Sequence, residues 1–79
     1  MYARGKQCRV SKHAHEGMQA ERPPIDYGAV QFVLEEPSAD DGTRATRRVG
    51  RRTILVYYNE FDDEILIRSV STTRSSLGT

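Results

Sequence analysis

The run Arg-Arg-Thr-Ile-Leu-Val-Tyr-Tyr at positions 51–58 decides the fold of this 79-residue chain. Its β-branched and aromatic residues are typical of a central β-strand. Turn-forming residues follow at 59–63 (Asn-Glu-Phe-Asp-Asp). The pattern at 65–70 predicts a last strand, which pairs antiparallel with the strand at 51–58. Upstream, the polar stretch 43–49 permits another strand, and 6–10 predicts a short one near the start of the chain.

Two helices are predicted between the short first strand and the others. One covers 12–21, where the Ser11 hydroxyl can cap the first turn and a Pro-Pro pair follows the last turn. The other covers 27–36, with Asp26 as its cap. The resulting order, (β)ααβββ, predicts an α+β domain in which two helices pack on one face of a three- or four-stranded antiparallel sheet.

The length and composition exclude several classes of protein. At 9.0 kDa and 37% hydrophobic residues, the chain has room for one small domain. We place it at 6–70, between a flexible N-terminus (1–5) and a flexible C-terminal tail (71–79). The single cysteine, Cys8, cannot close an internal disulfide. No apolar run approaches the roughly 20 residues that span a bilayer, and no signal peptide is recognisable. We therefore expect a cytoplasmic protein without a membrane partner.

The formal net charge of +1 conceals a separation of charge along the chain. Residues 16–41 carry seven acidic side chains and one basic one, whereas 43–59 contains five arginines and no acid. We therefore expect an acidic helix layer and a basic sheet rim. In a strand, alternation separates two groups of these arginines, which are Arg44, Arg48 and Arg52 in one and Arg47 and Arg51 in the other.

This arginine cluster has three interpretations. Guanidinium groups bind phosphates bidentately, so the cluster suits contact with an RNA backbone. It equally suits docking of an acidic protein segment. The third interpretation is a solvated edge strand that its charge protects from aggregation.

The tyrosine pair at the end of the central strand adds a second candidate for binding. Tyr57 and Tyr58 point to opposite faces, so one packs under the helices and the other is left on the open face. We assign Tyr58 to the binding surface, where a tyrosine near arginines can stack an RNA base, although core packing is the alternative. Arg68 interrupts an apolar run and should emerge from the open face, either to bind phosphate or to form a cross-strand ion pair.

Short motifs in the helical half resemble a known family. The family pattern runs roughly K-H-A-x-x-R-M-x-x-R-x-I, then V-L-x-x-P. The residues that resemble it are Lys12-His13-Ala14, Met18, Arg22, Ile25, Val30, Val33-Leu34 and Pro37. This resembles domain-of-unknown-function family 4258, which is similar in layout to the RelE and BrnT toxins. Characterised members of that superfamily cleave mRNA and are silenced by an antitoxin. The resemblance implies His13 and Arg22 as site residues.

Two departures from the family pattern put its activity in doubt for this chain. The first arginine of the pattern falls on Gly17, and Pro23-Pro24 follows the second arginine where the family has a glycine-led turn. If the missing arginine acts on phosphate in active relatives, this chain has lost or relocated that function.

Metal-independent RNA cleavage needs a general base, a cation for the phosphorane and an acid for the leaving oxygen. His13 and His15 are the only side chains with a suitable ordinary pKa, and their spacing along a helix turns them in different directions. We take His13 as the catalytic candidate, assisted by Arg68. The alternative is a histidine that is hydrogen-bonded at the helix start. Cys8 and the histidines lack a fourth metal ligand, so we expect neither a metal nor a cofactor.

Two functions follow from these observations. The first is a RelE/BrnT-like domain, either an mRNA endonuclease or a degenerate RNA-binding relative. The second is a non-catalytic interaction module, such as a mobile-element or phage inhibitor, that binds a protein or nucleoprotein partner through its basic strand. The sequence leaves open whether the protein is an enzyme. Because the helices can cover only one face of the sheet, the other face can also accept a second copy of the chain.

Overall fold

The computed structural model describes residues 1–74, and only the backbone of Arg74. Within this range the chain forms two helices and six strands. In chain order, these elements are β1 (Tyr2–Ala3), β2 (Lys6–Val10), α1 (Lys12–Ala20), α2 (Tyr27–Glu35), β3 (Ala39–Asp40), β4 (Arg44–Val49), β5 (Arg52–Glu60) and β6 (Glu64–Arg74).

All six strands belong to one mixed sheet with the spatial order β1-β2-β6-β5-β4-β3. The β2–β6 pair is parallel and the other pairs are antiparallel. The prediction of a three- or four-stranded antiparallel sheet in the order (β)ααβββ is therefore wrong. Two of the missed strands have only two residues each, too few to show an alternating pattern. The parallel pair joins distant parts of the chain, and no local pattern reveals such a pairing.

Both predicted helices and both predicted caps are confirmed. The Ser11 hydroxyl accepts a hydrogen bond from the Ala14 backbone N–H at 3.0 Å, and the Asp26 carboxylate accepts one from Ala29 at 2.8 Å. Each helix has nine residues. In the described part of the chain, neither helix is long and apolar enough to cross a membrane.

The core lies between the two helices and one face of the sheet, which we call the covered face. Alternate residues of β5 (Ile54, Val56 and Tyr58) point into this core and are at most 1% exposed. Ala14 and Met18 of α1 pack with them. The second helix adds the buried residues Val30, Val33 and Leu34. One face of the sheet is thus completely used for folding, which leaves the other for contacts outside the domain.

Gly17 allows α1 to lie very close to β6. A Cβ atom built on this residue would come within 2.7 Å of the Val70 carbonyl oxygen. Real Cβ atoms do not approach backbone oxygens so closely, so any larger residue would push the helix away from the strand. A long arginine side chain at position 17, as in the family pattern, does not fit this packing.

The two ends of the chain are more regular than their composition predicts. Residues 1–5 were expected to be flexible, yet Tyr2 and Ala3 pair with β2 and the Met1 carbonyl accepts a hydrogen bond from the Cys8 N–H. At the other end, β6 continues to Arg74 and takes in the first residues of the expected tail. The rest of that tail, 75–79, lies outside the described residues.

Candidate functional site: the uncovered face of the sheet

The face of the sheet opposite the helices is the candidate functional surface, and we call it the uncovered face. Its strands carry an apolar centre of half-buried Leu55, Tyr57 and Leu66. Short hydroxyl side chains surround this centre. The register assigns to this face Arg9, Arg44, Thr46, Arg48, Thr53, Leu55, Tyr57, Asn59, Glu64, Leu66, Arg68, Ser69 and Ser71.

Positive charge dominates the uncovered face. Four arginines (9, 44, 48 and 68) lie there, on three different strands. Among the described strand residues of this face, Glu64 is the one acid, and it pairs with Arg9 at 3.4 Å. The positive charge of this surface therefore attracts anions. Its apolar centre can contact the flat, apolar part of an anionic ligand.

Tyr57 lies at the centre of this charge. It pairs with Arg44 of β4 on one side and with Ser69 of β6 on the other. Side chains that face each other across antiparallel strands have Cβ atoms about 5 Å apart, so the Arg44 guanidinium can reach the tyrosine ring.

A bulge brings a second arginine to Tyr57. Tyr58 pairs with Ile67 while Tyr57 pairs with Ser69, so Arg68 is the extra residue and shares the uncovered face with Ser69. The exposed Arg68 side chain donates to Asn59 Oδ1 at 3.4 Å. Arg44 and Arg68 therefore lie on the two strands that neighbour Tyr57, on the same face of the sheet.

The assignment of Tyr58 to the binding surface needs correction, because Tyr57 occupies that place. Tyr58 is 1% exposed and shares the covered face with Ile54 and Val56. Its hydroxyl donates to Asp40 Oδ1 at 2.5 Å and accepts from the Arg4 guanidinium at 3.1 Å. A base cannot stack on a ring that is enclosed in this way.

The arginine cluster of 43–59 divides between the two layers. Arg44 and Arg48 lie on the uncovered face. Arg47 instead reaches the helix layer, where it donates to the Glu36 carbonyl at 2.7 Å and its guanidinium lies 4.6 Å from the centre of the Phe32 ring.

Arg52 differs from the alternation expected for it. The hairpin loop between β4 and β5 has two residues, Gly50 and Arg51, so Val49 pairs with Arg52 and both belong to the covered face. The Arg52 guanidinium donates to the Pro23 carbonyl. Arg51 is exposed at the tip of the loop.

The two catalytic candidates are not brought together. His13 is exposed in the first turn of α1, in the helix layer, whereas Arg68 belongs to the opposite face of the sheet. Arg22 donates to the carbonyls of Gln19 and Glu21 and so closes the C-terminal end of α1. This arrangement assigns Arg22 a visible structural role.

An ionic cluster surrounds Arg4, and no motif in the sequence predicts it; we call it the Arg4 cluster. The Arg4 guanidinium donates to Asp40 Oδ2 at 2.6 Å, to Glu60 Oε1 at 2.8 Å and to the Leu34 carbonyl at 2.6 Å. Its centre lies 5.1 Å from the centre of the Tyr58 ring. Lys6 adds a second ion pair to Glu60 at 2.9 Å. The cluster joins the β1–β2 turn to α2, β3 and β5.

The pKa values in the Arg4 cluster follow from these contacts. Burial alone would raise the pKa of Asp40, but hydrogen bonds from Tyr58, the Gly42 N–H and Arg4 outweigh it and lower that pKa. The hydrogen bond from Lys6 lowers the pKa of Glu60, assisted by Arg4 and opposed by burial. Burial and the bond to Asp40 raise the pKa of Tyr58. All these groups find partners inside the cluster, so its role is structural.

Residues 1–74 hold neither a group of metal ligands nor a reactive thiol. No group of three or more His, Cys, Asp or Glu side chains in this range could hold a metal ion. Cys8 is a buried free thiol, and burial raises its pKa, so the nucleophilic thiolate is disfavoured.

Comparison with known proteins finds no matching family model, and neither a curated protein nor a solved structure matches the chain. The resemblance to family 4258 and to the RelE/BrnT layout therefore stays a hypothesis. What can be said about function rests on the geometry of the uncovered face.

Proposed function

We propose that this protein is a small RNA-binding domain that holds single-stranded RNA on its uncovered face without cleaving it. The observation that carries this proposal is the position of Tyr57, which has arginines on both neighbouring strands of a face with a single acid. In terms of the resemblance, the protein would be a degenerate RNA-binding relative of the toxin superfamily.

The surface chemistry fits a single strand better than a duplex. Unpaired bases can stack on an aromatic ring, and guanidinium groups can bind the phosphates on either side. Tyr57 supplies the ring, and Arg44 and Arg68 supply the flanking cations. A double helix hides its bases, so it could use the arginines but not the tyrosine.

Cleavage is left out of the proposal for a geometric reason. A general base, an acid and a phosphate-binding cation must converge on one phosphate. His13 lies in the first turn of α1 on the helix side of the sheet, whereas the Arg68 side chain belongs to the uncovered face, so the two side chains do not share a face of the sheet. Position 17, where the family pattern has an arginine, faces the backbone of β6.

The competing interpretations use the same face. An acidic protein segment, as an antitoxin-like partner or the target of an inhibitor would present, could pair with the arginines without needing Tyr57. A second copy of the chain could cover the apolar centre. An acidic segment would bind whether or not Tyr57 is present, whereas a second copy would make the protein a dimer.

The proposal is tested by fluorescence anisotropy with a labelled ten-nucleotide single-stranded RNA of mixed sequence. Replacing the ring in Tyr57→Leu should weaken binding about 5- to 100-fold, because a stacked base contributes about 1–3 kcal/mol. Tyr27→Leu is the matched control, since Tyr27 is an exposed tyrosine of α2 in the helix layer. Arg44→Gln should also weaken binding, whereas Lys12→Gln, which removes an exposed charge from α1, should not.

Several results would contradict the proposal. If the wild-type protein does not bind the RNA, the proposed function is wrong. If the Tyr57→Leu and Tyr27→Leu variants bind the RNA equally well, no base stacks on Tyr57. Binding of an acidic peptide in preference to RNA would favour the interaction module. A stable dimer that excludes RNA would assign the face to a second copy. Shortened RNA after incubation with wild-type protein would show that cleavage was wrongly left out.

A further inference from the structure

A shallow cleft of about 320 Å³ lies at the tip of the β4–β5 hairpin, apart from the centre of the uncovered face. The loop after α1 forms one wall through Pro23, and the hairpin forms the other. The lining residues on the hairpin are Val49, Gly50, Arg51 and Arg52. Gly50 has φ +69°, as expected of the first residue of a tight two-residue hairpin loop.

The cleft holds positive charge that no acidic side chain among the described lining residues neutralises. Among its lining residues there is no acid, and the sequence from 43 to 59 contains none. Within the described residues the exposed Arg51 side chain forms no hydrogen bond or ion pair. The nearby Glu21 carboxylate accepts a hydrogen bond from the Thr72 hydroxyl. A concave surface with unpaired guanidinium charge is the arrangement that binds anions.

One of the two arginines in the cleft is already held in place. The bond from Arg52 to the Pro23 carbonyl uses one guanidinium nitrogen and leaves other N–H groups for a ligand. Arg51, exposed at the loop tip, lines the same cleft. A donor that is already held in place lowers the conformational entropy that binding must overcome.

The cleft lies on the covered side of the hairpin, since Val49 and Arg52 belong to the covered face, and the uncovered face ends at the same hairpin loop. Arg48 lies on that face and donates from Nε to the Gly50 carbonyl at 3.1 Å, next to the lining residue Arg51. From Arg44 to Arg48 the strand β4 rises about 13 Å along the sheet. An RNA strand that runs from Tyr57 along β4 would therefore arrive at the hairpin tip.

We propose that this cleft is a separate subsite for the terminal phosphate monoester of the single-stranded RNA. The inference rests on the proposed function, because that function supplies the strand. A terminal phosphate carries more negative charge than an internal phosphodiester and exposes three oxygens, so two arginines that line one cleft favour it over an internal position. The protein would then recognise an RNA end as well as unpaired bases.

The test compares ten-nucleotide RNAs of one sequence that carry a 5′-phosphate, a 3′-phosphate or hydroxyl groups at both ends, with the label on an internal base. One of the phosphorylated RNAs should bind wild-type protein at least threefold more tightly than the hydroxyl form. Arg51→Gln should abolish that difference while it still binds the hydroxyl form. Lys12→Gln is the matched charge control and should retain the difference.

The outcomes separate the subsite from the proposed function. If the hydroxyl RNA binds but neither phosphate improves binding, or if Arg51→Gln keeps the preference, the subsite is refuted and the RNA-binding surface stands. If no RNA binds, both proposals fail. Uridine 5′-monophosphate is the remaining probe. Should it shift the Arg51 amide resonance at the same concentrations as the phosphorylated RNA, the cleft serves free nucleotides and the assignment to RNA ends is wrong.

Discussion

Gly17 is interpreted differently from the sequence and from the structure. In the sequence it lowers the helix propensity of the first predicted helix, and it stands where the resembled family pattern has an arginine. In the structure it allows α1 to contact β6, because only a hydrogen atom fits against the Val70 carbonyl. The residue is therefore explained by packing, whatever the ancestry of the chain.

The packing explanation predicts that Gly17→Ala destabilises the protein. Helix propensity alone would make this change stabilising by up to about 1 kcal/mol. The 2.7 Å approach to backbone should reverse the sign, with a net loss of roughly 1–3 kcal/mol from overpacking. Urea unfolding measures the difference.

Gly28→Ala provides the matched control for that substitution. Gly28 lies in the first turn of α2, where an added Cβ would meet only the Asp26 carboxylate at an ordinary 3.5 Å. We expect this variant to be as stable as the wild type or slightly more stable. If both alanine variants gain stability, the close approach of α1 to β6 is wrong.

The tyrosine pair shows what alternation predicts and what it leaves open. Alternation places Tyr57 and Tyr58 on opposite faces, as the structure has them. It cannot say which is buried, because β5 is apolar on both faces: Leu55 accompanies Tyr57, and Val56 accompanies Tyr58. Contacts with the helices and with the Arg4 cluster decide which tyrosine faces the core. These partners are distant in sequence.

At the scale of elements, the Arg4 cluster fixes the start of the chain to the rest of the domain. Arg4 adopts a positive φ of 58°, the only non-glycine residue in the described range to do so. This turn directs its side chain toward β3, β5 and the end of α2. No pattern in the first five residues predicts such contacts, which is why composition suggested a flexible segment.

The cluster predicts a loss of stability in acid that depends on Arg4. Asp40 and Glu60 have lowered pKa values in the folded protein, so their contribution is complete above the ordinary carboxyl pKa of about 4 and disappears as the pH falls through the lowered values. At pH 7, Arg4→Met should cost about 2 kcal/mol of unfolding free energy. At pH 2 the variant and the wild type should differ much less.

Arg9→Met serves as the control for this pH dependence. Arg9 is 68% exposed and pairs with Glu64 at 3.4 Å, so its removal should cost less than about 1 kcal/mol. Chemical denaturation at both pH values provides the measurement. Equal losses for the two variants, or an Arg4→Met loss that persists unchanged in acid, would refute a stabilising role for the cluster.

The longer elements could be predicted from the sequence because their signals are local. Caps and prolines defined both helices, β-branched runs defined β5 and β6 within a few residues, and the polar stretch 43–49 permitted β4. The two-residue strands β1 and β3 lack such signals. The parallel β2–β6 pair depends on long-range packing, and it changed an expected antiparallel sheet into a mixed one.

At the scale of the whole molecule, the arginine-rich segment was visible in the sequence but its division was not. The two-residue hairpin loop and the bulge at Arg68 determine which arginines reach the uncovered face. The loop turns Arg52 toward the helix layer, and the bulge adds Arg68 beside Tyr57. The candidate site therefore combines residues from several strands, and sequence proximity alone selects the wrong set.

The two layers of the molecule differ in their charge. Acidic residues are concentrated in the helical segment 16–41, while arginines dominate the uncovered face on the far side of the sheet. An anionic strand should approach the sheet and be repelled by the helices. This polarity makes the location of binding as informative as its affinity.

The most direct test of the central claim is an NMR titration of labelled protein with the ten-nucleotide single-stranded RNA. We predict that the largest amide shifts fall on β4, β5 and β6 around Arg44, Tyr57 and Arg68, and that the exposed residues of α1 and α2 stay unchanged. Shifts centred on the helices, or no shifts at millimolar RNA, would contradict the assignment of the uncovered face to RNA.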